Sequence, residues 1–536
     1  MESREQLYKE AGFYMPAFFH LQINSNISIK FVNLKDENEK QEEIKNFKSK
    51  LDLKQEMDEV LVVNIENNWT IAGFNDKLEF REISLANDSP LVEELLKKSS
   101  EQDKKKIVIL AIAEIGYTQK LYKILESLQK LDEPPHIDES TFFHEYIHFL
   151  QDIFSTIGLI NISNTINGLK GISDYSLKKK NVKVPIKLSK NILNYEVNER
   201  LFGIYLGDSN SPRYDNMRIK EVKVETKKPI YKGQTYTEEK VVLKLHSPLT
   251  SYSSSYNFGA MAIMESMCYL LEADIYNVSG LPQFPYESAQ LLAKHIFPSI
   301  KNEYLLLLME VSLLTYNPGL FFYNVLNSLK KKEYVITDSA QFRIYLMNYV
   351  TASDPFTNEK LNLISLLDRE KERAKKEIDS IFTDPTLKTV SGWINNKIDH
   401  MYNLYKNGQF SFLNFYNQNK IESRKYFLEI LKEFGAPIIL NSEGYGLSIE
   451  GKIDQSIDSI NVELFLAIYE IYQLFTSPKR KCGMINFCSN LESKGLVNYK
   501  VDKRCEKKPW ERVNDKDLCP YAKMWKVWSF KNLTIL

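Results

Sequence analysis

The chain has 536 residues, of which 43% are hydrophobic and 26% charged, and its 70 basic side chains are balanced by 70 acidic ones. This length predicts two or three packed units, and the composition excludes both extensive disorder and a small disulfide-stapled scaffold. Because the formal net charge is zero, no overall field draws the chain to nucleic acid or to an anionic membrane, and neither is an expected partner.

The distribution of apolar residues and cysteines predicts a cytoplasmic protein. The apolar stretch 11–19 follows a charged N-terminus and lacks the length of a signal peptide. The longest apolar runs, 107–113 and 305–309, are far shorter than the roughly 18–20 residues that span a membrane. The five cysteines are an odd number, which suits a reducing compartment.

The first 130 residues read as a mixed α/β domain. β-like runs at 60–63 and 78–83 are separated by turn-forming Asn, Asp and Gly, while 107–115 is compatible with either a strand or a helix. Pro134 and Pro135 then interrupt the pattern, since proline lacks an amide donor. We therefore place a domain boundary near residue 130.

The rest of the chain divides near residue 300. Apolar residues alternate with a period of two across 218–245, which predicts an antiparallel hairpin inserted in a domain of residues 131–300. An exposed hairpin edge could add an extended peptide as a further strand. Residues 301–536 read as a mainly helical domain, with amphipathic stretches at 304–316, 359–382, 421–434 and 462–475 and a cysteine-containing tail at 482–519.

The segment His144-Glu145-Tyr146-Ile147-His148 carries a metal-binding pattern. Two histidines four residues apart lie on the same side of a helix, so both imidazoles can reach one metal ion. The glutamate beside the first histidine then lies close to the metal without binding it, which suits a general base acting on metal-bound water. Phe143, Ile147, Leu150 and Phe154 recur at helical spacing and predict a buried stripe on the same helix.

This motif resembles the signature of the zincin metallopeptidases. The resemblance implies a zincin-like α+β core, one catalytic zinc ion, His144 and His148 as zinc ligands and Glu145 as general base. In the gluzincin branch, a glutamate from a later helix is the third ligand. Glu265, among small and apolar residues in 257–272, is our predicted third ligand, because a buried carboxylate needs a partner.

Several further residues are candidates for supporting roles. Glu272 shares the helix face of Glu265 and could be a third ligand or an acceptor behind a zinc-bound histidine. Glu196 and Glu199 are further rivals for the third ligand. The donor to the developing oxyanion is not selected by spacing; the candidates are Arg200, His246, Tyr252 and Tyr256.

The favoured function is a selective intracellular zinc endopeptidase that cleaves a specific protein. The size of the flanking domains favours this selectivity over a general peptidase. Two other functions fit the same residues: a non-catalytic interaction protein with a zincin fold, and a metal-dependent hydrolase of a non-peptide amide.

Four cysteines, Cys482, Cys488, Cys505 and Cys519, crowd into the C-terminal tail. Their spacing is not the paired Cys-x-x-Cys of strong zinc motifs, so unmetallated thiols are the favoured interpretation. The cysteines could instead form a second, structural zinc site or disulfides. Cys268 reads as a small core residue.

Overall fold

A computed structural model describes short strands between residues 21 and 84 and most of the chain from residue 124 to 536. The longer gaps after residue 124 are 187–201, 210–215, 354–359, 441–445 and 455–461. Helices and strands are mixed, as the predicted α+β class requires. The ambiguous run 107–115 lies outside the described residues.

Five strands are described in the N-terminal region: β1 (Leu21–Gln22), β2 (Ile27–Ile29), β3 (Glu59–Asn64), β4 (Thr70–Phe74) and β5 (Phe80–Ser84). Strands β2 to β5 form one sheet in chain order, with β2 parallel to β3 and the other pairs antiparallel. Both β-like runs of the sequence, 60–63 and 78–83, therefore fall on or overlap observed strands.

Two consecutive helices follow, α1 (Glu139–Phe154) and α2 (Thr156–Lys179). The chain is extended at Ser155, which ends α1, and the Ser155 side chain caps α2 by accepting a hydrogen bond from the Gly158 backbone N–H at 3.0 Å. A Cβ at Gly158 would lie only 2.4 Å from the backbone oxygen of Asp152, so this tight junction requires glycine. The short strand β6 (Asn181–Val182) comes directly after α2.

The predicted hairpin is confirmed. β7 (Arg218–Lys227) pairs antiparallel with β10 (Glu238–His246), with Val224 opposite Val241 and Val222 opposite Leu243. A third strand, β11 (Ser253–Phe258), joins the other side of β10 and gives the sheet order β11-β10-β7. The two short strands β8 (Ile230–Tyr231) and β9 (Gln234–Thr235) pair with each other between β7 and β10.

Helix α3 (Ala260–Tyr276) begins directly after β11. The predicted helix at 257–272 is therefore correct from Ala260 onward, whereas Asn257 and Phe258 belong to β11. The remaining helices, α4 to α15, are Gln283–Tyr286, Ser288–Ile296, Asn302–Ser312, Pro318–Lys331, Ser339–Asn348, Leu363–Ile381, Lys388–Lys406, Lys420–Phe434, Val462–Thr476, Ile485–Ser493, Arg504–Lys507 and Pro520–Val527.

The four amphipathic stretches predicted after residue 300 correspond to α6, α9, α11 and α12. Short strands also occur there and were not predicted: β12 (Ala352–Ser353) with β13 (Lys360–Leu361), and β14 (Gly435–Leu440) with β15 (Gly446–Glu450). β14 also pairs in parallel with β1, and β16 (Thr534–Ile535) pairs in parallel with β6. The short 3-10 helices are Pro385–Leu387, Phe412–Phe415, Lys452–Asp454, Pro509–Asn514 and Phe530–Asn532.

The hydrophobic core crosses the predicted boundary at residue 300. The α1 stripe predicted from the sequence is buried, and the ring of Phe143 packs edge-on against Phe415 and Phe427, with centroids 5.6 and 5.0 Å away. Aromatic side chains of the C-terminal half therefore pack against the buried face of α1. Within the residues that the structure describes, no helix combines the length and hydropathy needed to cross a membrane.

Candidate metal centre

Helices α1 and α3 pack side by side and carry the predicted site residues on their facing sides. Going along α1, residues 139, 144 and 148 contact residues 276, 272 and 265 of α3 in turn. Residue numbers rise along one helix as they fall along the other, so the helices run antiparallel. This arrangement brings His144, His148 and Glu265 together from parts of the chain more than 100 residues apart.

The carboxylate of Glu265 faces both histidines. Its Oε2 atom lies 3.3 Å from Nε2 of His144 and 3.4 Å from Nε2 of His148. Two ligand atoms on one tetrahedral zinc ion are about 3.3 Å apart, given bond lengths of about 2.0–2.1 Å. The separations between Glu265 and each histidine thus match two of the three ligand–ligand distances around a single ion, and the nitrogen and oxygen donors are types that zinc accepts.

The other ring nitrogen of His144 is held by Glu272. Oε2 of Glu272 lies 2.9 Å from Nδ1 of His144, and both side chains are buried. A carboxylate only accepts hydrogen bonds, so Nδ1 is the donor to Glu272, and Nε2 is the nitrogen that faces Glu265 and would bind a metal ion. Of the two roles predicted for Glu272, the geometry matches the acceptor behind a histidine rather than the third ligand.

The other ring nitrogen of His148 is held by Gln151, a residue that no spacing or motif in the sequence distinguishes. Oε1 of Gln151 lies 2.8 Å from Nδ1 of His148, while its Nε2 donates to the backbone carbonyl of Met264 at 3.1 Å. The carbonyl of Met264 can only accept, which orients the amide and leaves Oε1 facing the histidine. Nδ1 of His148 is therefore the donor, and its Nε2 is directed to Glu265.

Cys268 also contributes to this group. His144, His148 and Cys268 are buried, and one potential ligand atom of each lies within 4.8 Å of the others, so the group could hold a metal ion. Sγ of Cys268 lies 3.6 Å from Nδ1 of His148 and 3.7 Å from Oε1 of Gln151. The thiol thus lies on the Nδ1 side of the ring, opposite the nitrogen that faces Glu265.

The electrostatics of the centre favour a bound cation. Burial lowers the pKa of His144, but hydrogen bonds to Glu265 and Glu272 outweigh burial and raise this pKa to about 10. Burial raises the pKa of Glu265, but His148 and His144 outweigh it and hold the pKa well below its usual range. The carboxylates therefore attract positive charge to the histidines, either as protons or as a metal ion.

Glu145 is partly buried on the same helix, between the two histidines in sequence. Burial raises the pKa of its carboxyl group, while the charges of His148 and His144 oppose this rise. A carboxylate with a raised pKa accepts and returns a proton more readily near neutral pH than an ordinary glutamate.

A buried ionic hub fixes the beginning of α1. Both carboxylate oxygens of Glu139 accept hydrogen bonds from Arg424 of α11, at 2.8 and 3.1 Å, and Oε1 also accepts from Tyr276 at the end of α3 at 2.9 Å. Arg424 donates further bonds to the backbone carbonyls of Ser127, Leu131 and Glu133. This hub ties α1 and α3 to the C-terminal half and holds them in register.

An aromatic residue lies at the edge of the centre. The ring of Tyr286 in α4 contacts the His144 ring edge-on, with centroids 6.0 Å apart, and Tyr286 is only partly buried. Of the predicted oxyanion donors, Tyr256 is buried and donates to the Asp208 carbonyl at 2.7 Å, while His246 ends β10. Tyr252 precedes β11, and Glu196, Glu199 and Arg200 lie outside the described residues.

Comparisons of the chain with protein-family models, with curated proteins and with solved structures found no match. The functional assignment therefore stands on the residues and geometry of the centre.

Proposed function

We propose that the protein is a zinc-dependent metallopeptidase with a zincin-like core, in which His144, His148 and Glu265 bind the metal. The observation that carries this proposal is the position of Glu265 Oε2, within 3.4 Å of both histidine Nε2 atoms. Three protein ligands leave a fourth position for water or substrate, as in catalytic zinc sites.

Four residues around the metal ligands have separate proposed roles in catalysis. Zinc, when bound, lowers the pKa of a bound water and polarises the substrate carbonyl. Glu145 accepts the proton of the attacking water and returns it to the leaving amine. Glu272 and Gln151 hold the two imidazoles so that neither ring must reorient during the reaction. Tyr286, beside His144, is the candidate donor to the developing oxyanion in place of Tyr252 or Tyr256.

A polypeptide substrate agrees with the sheet next to the centre. Among the described strands, β11 is the outer strand of its sheet and runs directly into α3, which carries Glu265. An extended peptide could add to β11 before Asn257, since Asp208 already bonds the N–H and carbonyl of Asn257 at the end next to α3. The proposed substrate is a specific protein, cleaved inside the cell.

The first experiment measures zinc per chain by elemental mass spectrometry in wild type and in a His144→Ala/His148→Ala double variant. We expect the double variant to lose about one zinc ion per chain. The second measures hydrolysis of a proteome-derived peptide library by Glu145→Gln, which should keep its zinc and lose activity by about 10²- to 10⁴-fold. A Glu145→Gln variant with full activity would contradict the mechanism, and wild type that binds no divalent metal would exclude the hydrolase.

The second candidate function is that of an interaction protein with a structural metal site, and the position of Cys268 is the observation that favours it. If Cys268 joined His144, His148 and Glu265, four protein ligands would close the site and leave no place for water. Replacing zinc by Co²⁺ separates the two cases, because a thiolate ligand adds an intense charge-transfer absorption band. The peptidase proposal requires that this band be absent from the metal centre.

A further inference from the structure

Four cysteines in the C-terminal tail form what we call the four-cysteine group: Cys482, Cys488, Cys505 and Cys519. Their side chains are only 5–7% exposed, and all are free thiols, so the disulfide interpretation is wrong. They belong to separate segments, just before α13, within α13, within α14 and at the start of α15. The Cys482 backbone N–H donates to the Cys505 carbonyl at 2.9 Å and joins two of these segments.

The thiols of the group lie close enough to influence one another. Burial raises the pKa of Cys488, the nearby Cys519 and Cys505 add to this rise, and the pKa reaches about 12. Burial also raises the pKa of Cys482, and the charges of Cys488 and Cys519 raise this pKa further. Cys488 therefore lies near Cys482, Cys505 and Cys519, although the four cysteines belong to separate segments.

Backbone donors nevertheless point at the sulfur atoms. The N–H of Met484 donates to the sulfur of Cys482, and the N–H groups of Tyr521 and Ala522 donate to the sulfur of Cys519. A neutral thiol is a weak acceptor, whereas a thiolate is a strong one. Donors placed two and three residues after a cysteine therefore suit a sulfur that is ionised, as metal-bound sulfurs are.

A buried arginine adds a positive charge to the same place. Nη1 of Arg512 lies 3.1 Å from Sγ of Cys505, and Arg512 is only 2% exposed. Its Nε donates to Asp515 at 3.0 Å, which fixes the guanidinium. Four sulfurs that ionise to bind a metal would carry more negative charge than Arg512 offsets, and the bound metal would supply the remainder.

The distances between the sulfur atoms distinguish a single zinc ion from an iron–sulfur cluster. A single zinc ion, with Zn–S bonds of about 2.3 Å, brings its sulfur ligands to about 3.8 Å from one another. Across the described part of the chain, three potential ligand atoms come within 4.8 Å of one another at His144, His148 and Cys268, and the four sulfurs form no such set. In an iron–sulfur cluster the four thiolates are divided among two or four iron atoms, so no three of their sulfurs need lie as close together as around one zinc ion.

We propose that the four-cysteine group binds an iron–sulfur cluster through four thiolates. Each thiol loses its proton to solvent when the cluster is inserted, and hydrogen bonds to the sulfurs, together with Arg512, then stabilise the resulting negative charge. This proposal is independent of the function of the α1–α3 centre.

The test uses the full-length His144→Ala/His148→Ala variant, purified without oxygen and reconstituted with iron and sulfide, so that the metal it retains cannot lie at the histidines. We expect equal amounts of iron and acid-labile sulfide, about two or four of each per chain, and a visible absorption that bleaches on reduction. Cys488→Ser and Cys519→Ser in this background should lose most of the iron. Met524→Leu, at a buried sulfur-containing side chain outside the group, should retain it.

Two outcomes would overturn the proposal. The first is about one zinc ion per chain without sulfide, lost in the same two serine variants, which would establish a mononuclear site. The second is a protein that holds neither iron nor sulfide after reconstitution. If the serine variants fail to fold, the Mössbauer spectrum of the parent variant decides, since a bound cluster gives the signal of tetrahedral iron–sulfur sites and adventitious iron does not.

Discussion

The α1–α3 centre and the four-cysteine group differ in the polarity of their hydrogen-bonding surroundings. Behind the two histidines stand acceptors, the carboxylate of Glu272 and the amide oxygen of Gln151. Around the cysteine sulfurs stand donors, among them the guanidinium of Arg512. A neutral imidazole that binds a metal has a proton to donate on its other nitrogen, whereas a thiolate has no proton and can only accept hydrogen bonds. The hydrogen-bond partners thus match neutral imidazole ligands at the α1–α3 centre and ionised thiolate ligands at the four-cysteine group.

The two regions also differ in the interactions that fix their structure. The α1–α3 centre is fixed by protein contacts, chiefly those of Glu139 with Arg424 and Tyr276. The four-cysteine group sits among short helices, which the proposed iron–sulfur cluster would join through their cysteines. We therefore expect the first region to keep its shape without metal and the second to depend on it.

The largest effect should be a loss of stability when Arg424 is replaced in the ionic hub. Arg424→Met leaves the carboxylate of Glu139 buried without its cation and should lower the free energy of unfolding by about 3–5 kcal/mol. Urea unfolding of metal-free protein measures this. The neighbouring Lys425→Met, at an exposed pair with Glu422, should cost at most about 1 kcal/mol. Equal stability of the two variants would show that the protein does not hold the α1–α3 centre through this hub.

The next effect concerns the carboxylate behind His144. Glu272→Leu removes a charged acceptor, and we expect zinc affinity to fall by about 100-fold, the upper end of the range for such partners. Competition with a chelator of known affinity measures the change. Glu272→Gln keeps an acceptor oxygen and should lose less. If Glu272→Leu instead removed the metal altogether, Glu272 would have to be a ligand.

A smaller loss is expected behind His148. Gln151→Leu removes a neutral acceptor and should lower zinc affinity by about 10-fold, the lower end of the same range. Gln409→Leu, an exposed glutamine outside the centre, serves as the control. In the zinc-loaded proteins, the Nδ1–H proton of His148 should exchange with solvent faster in Gln151→Leu than in wild type, because it has lost its acceptor. Equal exchange rates in the two proteins would contradict the role of Gln151.

The smallest effect is expected at Cys268. Because its sulfur lies on the Nδ1 side of His148, Cys268→Ser should change zinc affinity by less than about 10-fold. The Co²⁺-substituted protein should show the same spectrum with and without this substitution. A large loss of affinity, or a thiolate band that disappears in the variant, would establish the closed four-ligand site.

The sequence predicts those parts of the molecule that depend on periodicity along one segment. The stripe of α1, the antiparallel β7–β10 hairpin and the placement of His144 and His148 on one side of a helix all follow from such spacing. Glu265 was predictable because a lone carboxylate in an apolar helix needs a partner.

Contacts between distant segments could not be predicted in this way. Gln151 is an ordinary polar residue until Met264 orients its amide, and Arg424 lies 285 residues from Glu139. Tyr286 is one of 31 tyrosines, and only the placement of α4 against α1 distinguishes it. The start of α3 was misplaced by three residues, although Gly259, which precedes the first helical residue, is the break between β11 and the helix.

The antiparallel register of α1 and α3 also determines where chain length can vary. Adding one residue to a helix rotates everything beyond it by about 100° and shifts it by about 1.5 Å. One insertion between Glu265 and Glu272 would therefore separate the carboxylate that faces both histidines from the one that orients His144. The tip of the β7–β10 hairpin, around the short strands β8 and β9, carries no such pairing with α1 among its described residues, so we expect insertions and deletions there to leave the centre intact. Variation in length should accordingly be found in surface loops and at this hairpin tip.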